Sequence, residues 1–266
     1  MKTGIFTRLF IAIIIVGTTI TALVFGVWLI AIPEDLIANW IKTSVEKPLV
    51  LEIDGLNKEV LFTIKIHNVR LLLKNNELLV LNDGSITINP VFLLFNTAKV
   101  SFNGVLSNGY ITGSGIIKKN YVSIDGKMGD IELGRLNYLK KYALKGNGIL
   151  SGGFTLKKDT GQLDFKVKDF AFLDVYSHGI YLPLKYFNKI EGLIILKKEQ
   201  LTVESITSSG KGVYARIKGK IAKGSTDLKI DIMPDEDFPD KSKLALIKHY
   251  EVSPGVYSME IKKWLY

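Results

Sequence analysis

The residues best suited to chemistry in this chain are few and scattered. Its three histidines are His67, His178 and His249. None has a second ligand-type side chain at helical or hairpin spacing, and a metal site needs several converging ligands. Each therefore reads as a surface or packed residue. Gly210-Lys211-Gly212 lacks the paired glycines and the Lys-Ser/Thr of a phosphate loop. Gly146-x-Gly148 has Ser151 where a dinucleotide fingerprint needs its third glycine, and it precedes a strand rather than a helix. No Gly-x-Ser-x-Gly elbow is present. Asp235-Glu236-Asp237 lacks the spaced oxygen ligands of a calcium loop and reads as a solvated turn. With no cysteine at all, disulfides, thiolate chemistry and Cys-ligated zinc are excluded. No catalytic, cofactor-binding or metal-ligating residue is assigned, and the chain reads as non-enzymatic.

What the spacing does single out is an apolar surface. Leu163, Phe165 and Val167 alternate with Gln162, Asp164, Lys166 and Lys168. Val213, Ala215, Ile217 and Ile221 alternate with Tyr214, Arg216, Lys218 and Lys220, and Leu228, Ile230 and Ile232 with Asp227, Lys229 and Asp231. Period-two alternation makes an antiparallel sheet with one greasy and one wet face. Phe154, Leu156, Leu163, Phe165, Val167, Val213, Ile217, Leu228, Ile230 and Ile232 are accordingly expected on one side of that sheet. Such a side either closes into a core or stays open toward lipid or a partner protein. Partial closure is the expectation, a core beneath the helices with one end open.

The elements that must position this surface follow from the N-terminus onward. Residues 9–33 carry no charged side chain and are dominated by Ile, Leu, Val, Ala and Phe. About 20 helical residues cross a bilayer core, so this run is long enough to span. A cleaved signal peptide has a shorter apolar core and ends in small residues; 29–32 reads Leu-Ile-Ala-Ile. Trp28 suits the headgroup layer. Lys2 and Arg8 precede the run while Glu34 and Asp35 follow it, which keeps residues 1–8 in the cytoplasm and exports 34–266.

Past the span, Pro33 with Glu34 and Asp35 predicts a helix over 33–45, bearing Leu36, Ile37, Trp40, Ile41 and Val45 on one stripe. It either caps the β-structure or lies along the headgroups, and capping is favoured. From residue 49 strands dominate, with turns expected at Asp54-Gly55, Asn82-Asp83-Gly84, Asn103-Gly104 and Asn108-Gly109. Residues 91–95 form a brief apolar segment. Leu133, Leu136, Leu139 and Tyr142 predict a helix over 133–142, a shorter one is expected near 244–247, and 256–264 closes the chain as a strand. A repeat runs through the middle: Gly113-x-x-x-Ile117-Lys118-Lys119, Gly152-x-x-x-Leu156-Lys157-Lys158 and Gly192-x-x-x-Leu196-Lys197-Lys198. Each unit reads as a hairpin, and a repeat of this length suggests a sheet extended by similar units.

Net charge is +9, or 9 − 2 = +7 once Lys2 and Arg8 are set aside, and only four of the 35 basic residues are Arg. Nucleic-acid sites favour Arg forks, so no nucleic-acid partner is expected. Lysines of this kind solvate strand faces, or meet anionic lipid or an acidic protein.

With these elements in order, the chain resembles the N protein (GspN) family of bacterial type II secretion systems. The resemblance rests on the anchor, on Pro33-Glu34-Asp35-Leu36 and its helix, and on 49–56, Leu-Val-Leu-Glu-Ile-Asp-Gly-Leu. It extends to 254–261, Pro-Gly-Val-Tyr-Ser-Met-Glu-Ile. The same opening is similar to AsmA-like proteins, whose long β-grooves are linked to lipid passage. These resemblances imply a bacterial inner-membrane protein with a single span and its C-terminal domain in the periplasm. They imply either an assembly component of a secretion machine, binding envelope proteins, or a groove that binds phospholipid. The fold class expected is mainly β: a transmembrane helix, then one extended, twisted antiparallel sheet, like a groove or half-barrel, with a few short helices. The expected divisions are a cytoplasmic tail (1–8), an anchor (9–33) and a β-rich domain (34–266).

Overall fold

The computed structural model describes residues 26–28, 32–43, 48–73, 76–93, 95–137, 139, 144–177, 180–198, 200–222 and 225–263. The expected tail and almost all of the expected anchor lie outside them, and among the described residues no helix is long and apolar enough to cross a membrane.

Alternating apolar residues and short turns produce a meander. Its first half comprises β1 (Leu49–Glu59), β2 (Thr63–Leu73), β3 (Asn76–Asn89), β4 (Ala98–Leu106), β5 (Gly109–Lys118), β6 (Tyr121–Glu132), β7 (Gly146–Lys157) and β8 (Thr160–Phe172). A small hairpin of β9 (Val175–Ser177) and β10 (Ile180–Leu182) interrupts it. The second half comprises β11 (Phe187–Lys197), β12 (Gln200–Gly210), β13 (Val213–Ala222) and β14 (Ser225–Pro234), with β15 (Glu251–Ser253) and β16 (Val256–Lys263) closing the chain. Fourteen strands make one open antiparallel sheet in the order β1 to β8, β11 to β14, β16, β15.

Helix α1 (Glu34–Thr43) has its acids in the first turn and Lys42 in the last, as the helix dipole favours. Ile37 is buried and Ile41 packs beside it on Ile53, Ile64 and Ile66, so α1 covers the β1 side of the sheet. Leu36 stays 60 % exposed, which removes it from the expected inward stripe; Val45 lies outside the described residues. Trp28 packs its ring against Phe62 at 5.1 Å and donates Nε1–H to the Glu59 carbonyl at 3.0 Å.

Three of the four expected Asx-Gly turns are not turns. Asp54-Gly55 lies inside β1, Asn82-Asp83-Gly84 inside β3, and Asn103-Gly104 inside β4. Only Ser107-Asn108 turns the chain, with φ of 48° and 65°, before Gly109 starts β5. Gly55 (φ 68°) and Asp83 (φ 46°) act as kinks that switch the alternation. The apolar-facing residues are odd-numbered at Leu51 and Ile53 and even-numbered at Leu56, so the same face stays apolar through the kink. Asp169 (φ 50°) does the same between Val167 and Phe170.

The α-helix expected over 133–142 is met only in its later part. Leu133–Arg135 is a 3₁₀ turn, and the chain continues with Leu136 N–H to Leu133 O and Leu139 N–H to Leu136 O, at 3.0 and 3.1 Å. Leu136 is extended and ends that turn, and Asn137 and Leu139 beyond it are α-helical, so the leucine stripe begins ahead of the helix. Residues 138 and 140–143 lie outside the described set. The expected short helix near 244–247 is part of a 3₁₀ segment, Lys241–Tyr250.

Candidate apolar groove

The register brings apolar residues of successive strands into rows that cross the sheet. One row passes from Ile64 through Ile86, Phe102, Gly113 and Gly126 to Phe154. It continues through Leu163, Ile194, Val203 and Gly219 to Leu228 and Ile261. A parallel row joins Phe165, Gly192, Ile206, Ile217, Ile230 and Met259. All ten residues singled out in the sequence lie on this one face, because Leu156, Val167, Val213 and Ile232 follow at even steps along their strands.

Glycines and phenyl rings complement each other on it. Phe102 on β4 and Phe154 on β7 lean together over Gly113 and Gly126, their centroids 6.4 Å apart. A methyl on Gly113 would come within 2.4 Å of Phe102, and one on Gly126 within 2.3 Å of Phe154. Phe165 covers Gly192 in the same way, at 2.4 Å. Two of the three glycines of the sequence repeat are thus floors for a neighbour's ring.

The face is covered unequally. At the end of the strands where the long connections lie, the 3₁₀ segment Lys241–Tyr250, the Leu184–Tyr186 turn and Leu182 pack onto Val167, Phe170, Phe172, Val213, Ile230, Ile232 and Met259. Ile247 and Met259 are fully buried there. Four of the ten singled-out residues, Val167, Val213, Ile230 and Ile232, belong to this core, and Phe165 and Ile217 pack against it. The other four, Phe154, Leu156, Leu163 and Leu228, are only half-buried, and they lie toward the opposite end of the strands. That end carries the short hairpin turns after Lys118, Lys157 and Lys197. The Lys-Lys corners of the repeat therefore all border the uncovered half.

Between the halves sits a cleft of about 310 Å³ whose wall exposes only apolar surface. Met128, Leu150, Leu163, Phe165, Val167, Phe170 and Phe172 form its sheet side, and Leu133, Leu136, Leu139 and Leu144 from the β6–β7 connection form its cover. Asn137 on that connection donates to the Glu77 carboxylate at 2.5 Å, tying the cover to the start of β3. The cleft reaches the lower end of the roughly 300–1,000 Å³ typical of small-molecule sites. Three of its residues were singled out in the sequence. Phe170 and Phe172 were missed because the kink at Asp169 hides their parity.

The wet face carries a wider trough of about 860 Å³, with Asn103, Thr112, Ser114, Asp125, Lys127 and Asp164 in its wall. Beside it Glu191 is held below the usual carboxylate range by Lys189 and Lys166, at 2.9 and 3.1 Å. These are exposed ion pairs of the kind that solvates a sheet. Among the described residues no three His, Asp or Glu side chains come together as a metal site. His67 Nε2 meets Asn57 at 3.2 Å, His249 lies against Tyr250, and His178 is outside the described residues. Gly210-Lys211-Gly212 forms the β12–β13 connection, with Lys211 N–H on the Tyr186 carbonyl.

A second electrostatic cluster fastens the core's cover. Asp240 accepts from Tyr186 Oη at 2.9 Å and pairs with Lys243 at 3.0 Å. Lys243 first, then the Tyr186 hydroxyl, hold its carboxyl down at about 2. Asp174 joins through Lys185 and Lys243, at 3.5 and 3.4 Å.

No protein-family model, curated protein or solved structure matches this chain.

Proposed function

We propose that this chain is a membrane-anchored envelope protein whose sheet holds lipid acyl chains along its uncovered apolar half. The observation that carries the reading is the unequal cover: one continuous apolar face, packed into a core at one end of its strands and left half-buried toward the other at Phe154, Leu156, Leu163 and Leu228, beyond the part that α1 covers at Ile64. Apolar side chains left in a row without a full cover suit a binding surface, and the cleft wall, which exposes only apolar surface, selects a hydrocarbon over a polar ligand. At about 4.8 Å per strand the face has a contour of roughly 60 Å, several times the width of one acyl chain. The lysine corners at its border suit phosphate-bearing headgroups.

In this reading the uncharged run supplies a single span over residues 9–27, ending where Trp28 packs on the sheet, residues 1–8 stay in the cytoplasm, and the sheet stands on the periplasmic side of a bacterial inner membrane. The protein is a carrier or conduit rather than an enzyme, in the manner of the AsmA-like resemblance. A second reading, an assembly component of a type II secretion system, draws on the edge of β1, eleven residues long and, among the described residues, paired only with β2. Such an edge can take a strand from another protein.

Native mass spectrometry of the gently extracted full chain tests the first reading. Wild type is expected to carry lipid-sized adducts, and Leu156→Asp to lose them with its melting temperature lowered by no more than about 4 °C. A lipid-free wild type would leave the assembly reading in its place.

A further inference from the structure

Two neighbouring connections beside β1 present apolar side chains that the groove does not use. Val60–Phe62 links β1 to β2, and residues 90–97 link β3 to β4. Neither stretch contains a charged residue. Phe95 is 73 % exposed and Leu61 66 %, and Val60, Val91 and Leu93 are exposed as well. The turn packs against β3, which brings the two connections together. Leu61 and Phe62 both hold positive φ, 62° and 56°. Side chains of L-residues rarely adopt that conformation, and backbone outliers of this kind cluster at functional sites. The turn buries Phe62 against Trp28 and leaves Leu61 outside.

The chain from the N-terminal apolar run arrives at this same corner. Lys58 Nζ donates to the carbonyls of Trp28, at 2.9 Å, and Ile32, two residues before Val60. Residues 9–27, the part of the uncharged run before Trp28, still number 27 − 9 + 1 = 19, close to the ~20 that cross a bilayer. Lys99 adds a cation at the patch, with Nζ 5.2 Å from the Phe92 ring centre. Apolar tips beside a lysine, where a spanning segment emerges, match the boundary between headgroups and acyl chains.

We propose that this corner is a bilayer-docking site: Leu61 and Phe95 enter the acyl boundary of the leaflet, and Lys99 meets anionic headgroups. The proposal rests on the anchor of the proposed function but not on the groove. It gives the sheet a fixed seat on the membrane, with β1 nearest the leaflet.

The chain has no cysteine, so a single introduced thiol is a unique label. Leu61→Cys, Phe95→Cys and, as a control on the far edge, Val252→Cys would each be made in the full chain. Each would carry an environment-sensitive fluorophore and be reconstituted into vesicles of phosphatidylethanolamine and phosphatidylglycerol. Labels at 61 and 95 are expected to emit blue-shifted and to be quenched severalfold by lipids brominated on their acyl chains, while the label at 252 stays water-like. Water-like emission at 61 and 95 in a chain that floats with the vesicles would overturn the docking site and leave the anchor standing. Blue-shifted emission untouched by brominated lipid would overturn it in favour of a protein cover. A chain that fails to float with the vesicles would remove the anchor and the docking site together.

Discussion

The two halves of one apolar face differ in what covers them, not in what they are made of. Leu228 and Ile230 are neighbours on the same side of β14, two residues apart. Ile230 sits in the core beneath the connections, and Leu228 is half-exposed toward the hairpin turns. The same contrast separates Val167 from Leu163 on β8. Strand alternation creates the face, and the long connections then decide how much of it becomes core. What the connections leave half-buried is the part proposed to hold lipid.

Substitutions matched across the two halves sharpen the contrast. The largest effect is expected from Ile232→Asp, which places an unpaired charge at a residue 1 % exposed. The cost, several kcal/mol, is comparable with a domain's whole stability, so the chain should fail to melt cooperatively. Ile247→Ala, at a fully buried position of the cover, should cost about 2–5 kcal/mol, read as a lower urea midpoint at unchanged slope. Phe165 stands between the halves, over Gly192 and in the cleft wall, and Phe165→Ala should fall below that range. Leu156→Asp on the open half should cost about 1 kcal/mol or less, since its charge reaches water along the border. Equal losses at positions 232 and 156 would break the comparison.

The smallest effect belongs to the clamp on the cover. Asp240 has its carboxyl held at about 2 against an ordinary 3.8. A group bound as its anion in the folded chain stabilises it above the ordinary value and loses that contribution as pH falls toward the folded one. The wild-type melting temperature should therefore drop between roughly pH 4 and 2 by more than that of Asp240→Asn. Parallel profiles would show that the clamp does not fasten the cover.

Much of this architecture was legible in the residues. Alternation at 162–168, 213–221 and 227–232 marks strands and assigns their faces, because period two is a local property. Two of the Asx-Gly pairs misled because the same left-handed preference serves a turn or a kink within a strand: at Gly55 and Asp83 the strand continues, and at Ser107-Asn108 it does not. The leucines at 133, 136 and 139 suggested one helix, but the chain passes from a 3₁₀ turn through an extended Leu136 into an α-helical turn, a break that apolar spacing does not reveal. The cover was not legible. That Ile247 and Leu184 dock on Ile232 and Val213 depends on contacts between distant segments, for which no local pattern exists. Hence the ten residues could be placed on one face, while the boundary between core and groove could not.

We propose lipid on the half of the face bordered by the lysine turns, while the half beneath the long connections is protein core. The most direct test is photo-crosslinking from inside the cell membrane fraction. A benzophenone amino acid would replace Leu156 or Leu228 on the apolar face, and Thr155 or Lys229, the adjacent residues on the wet face. Adducts of phospholipid mass are predicted from positions 156 and 228 and none from 155 and 229. Equal lipid labelling from both faces, or none from either, would contradict the account.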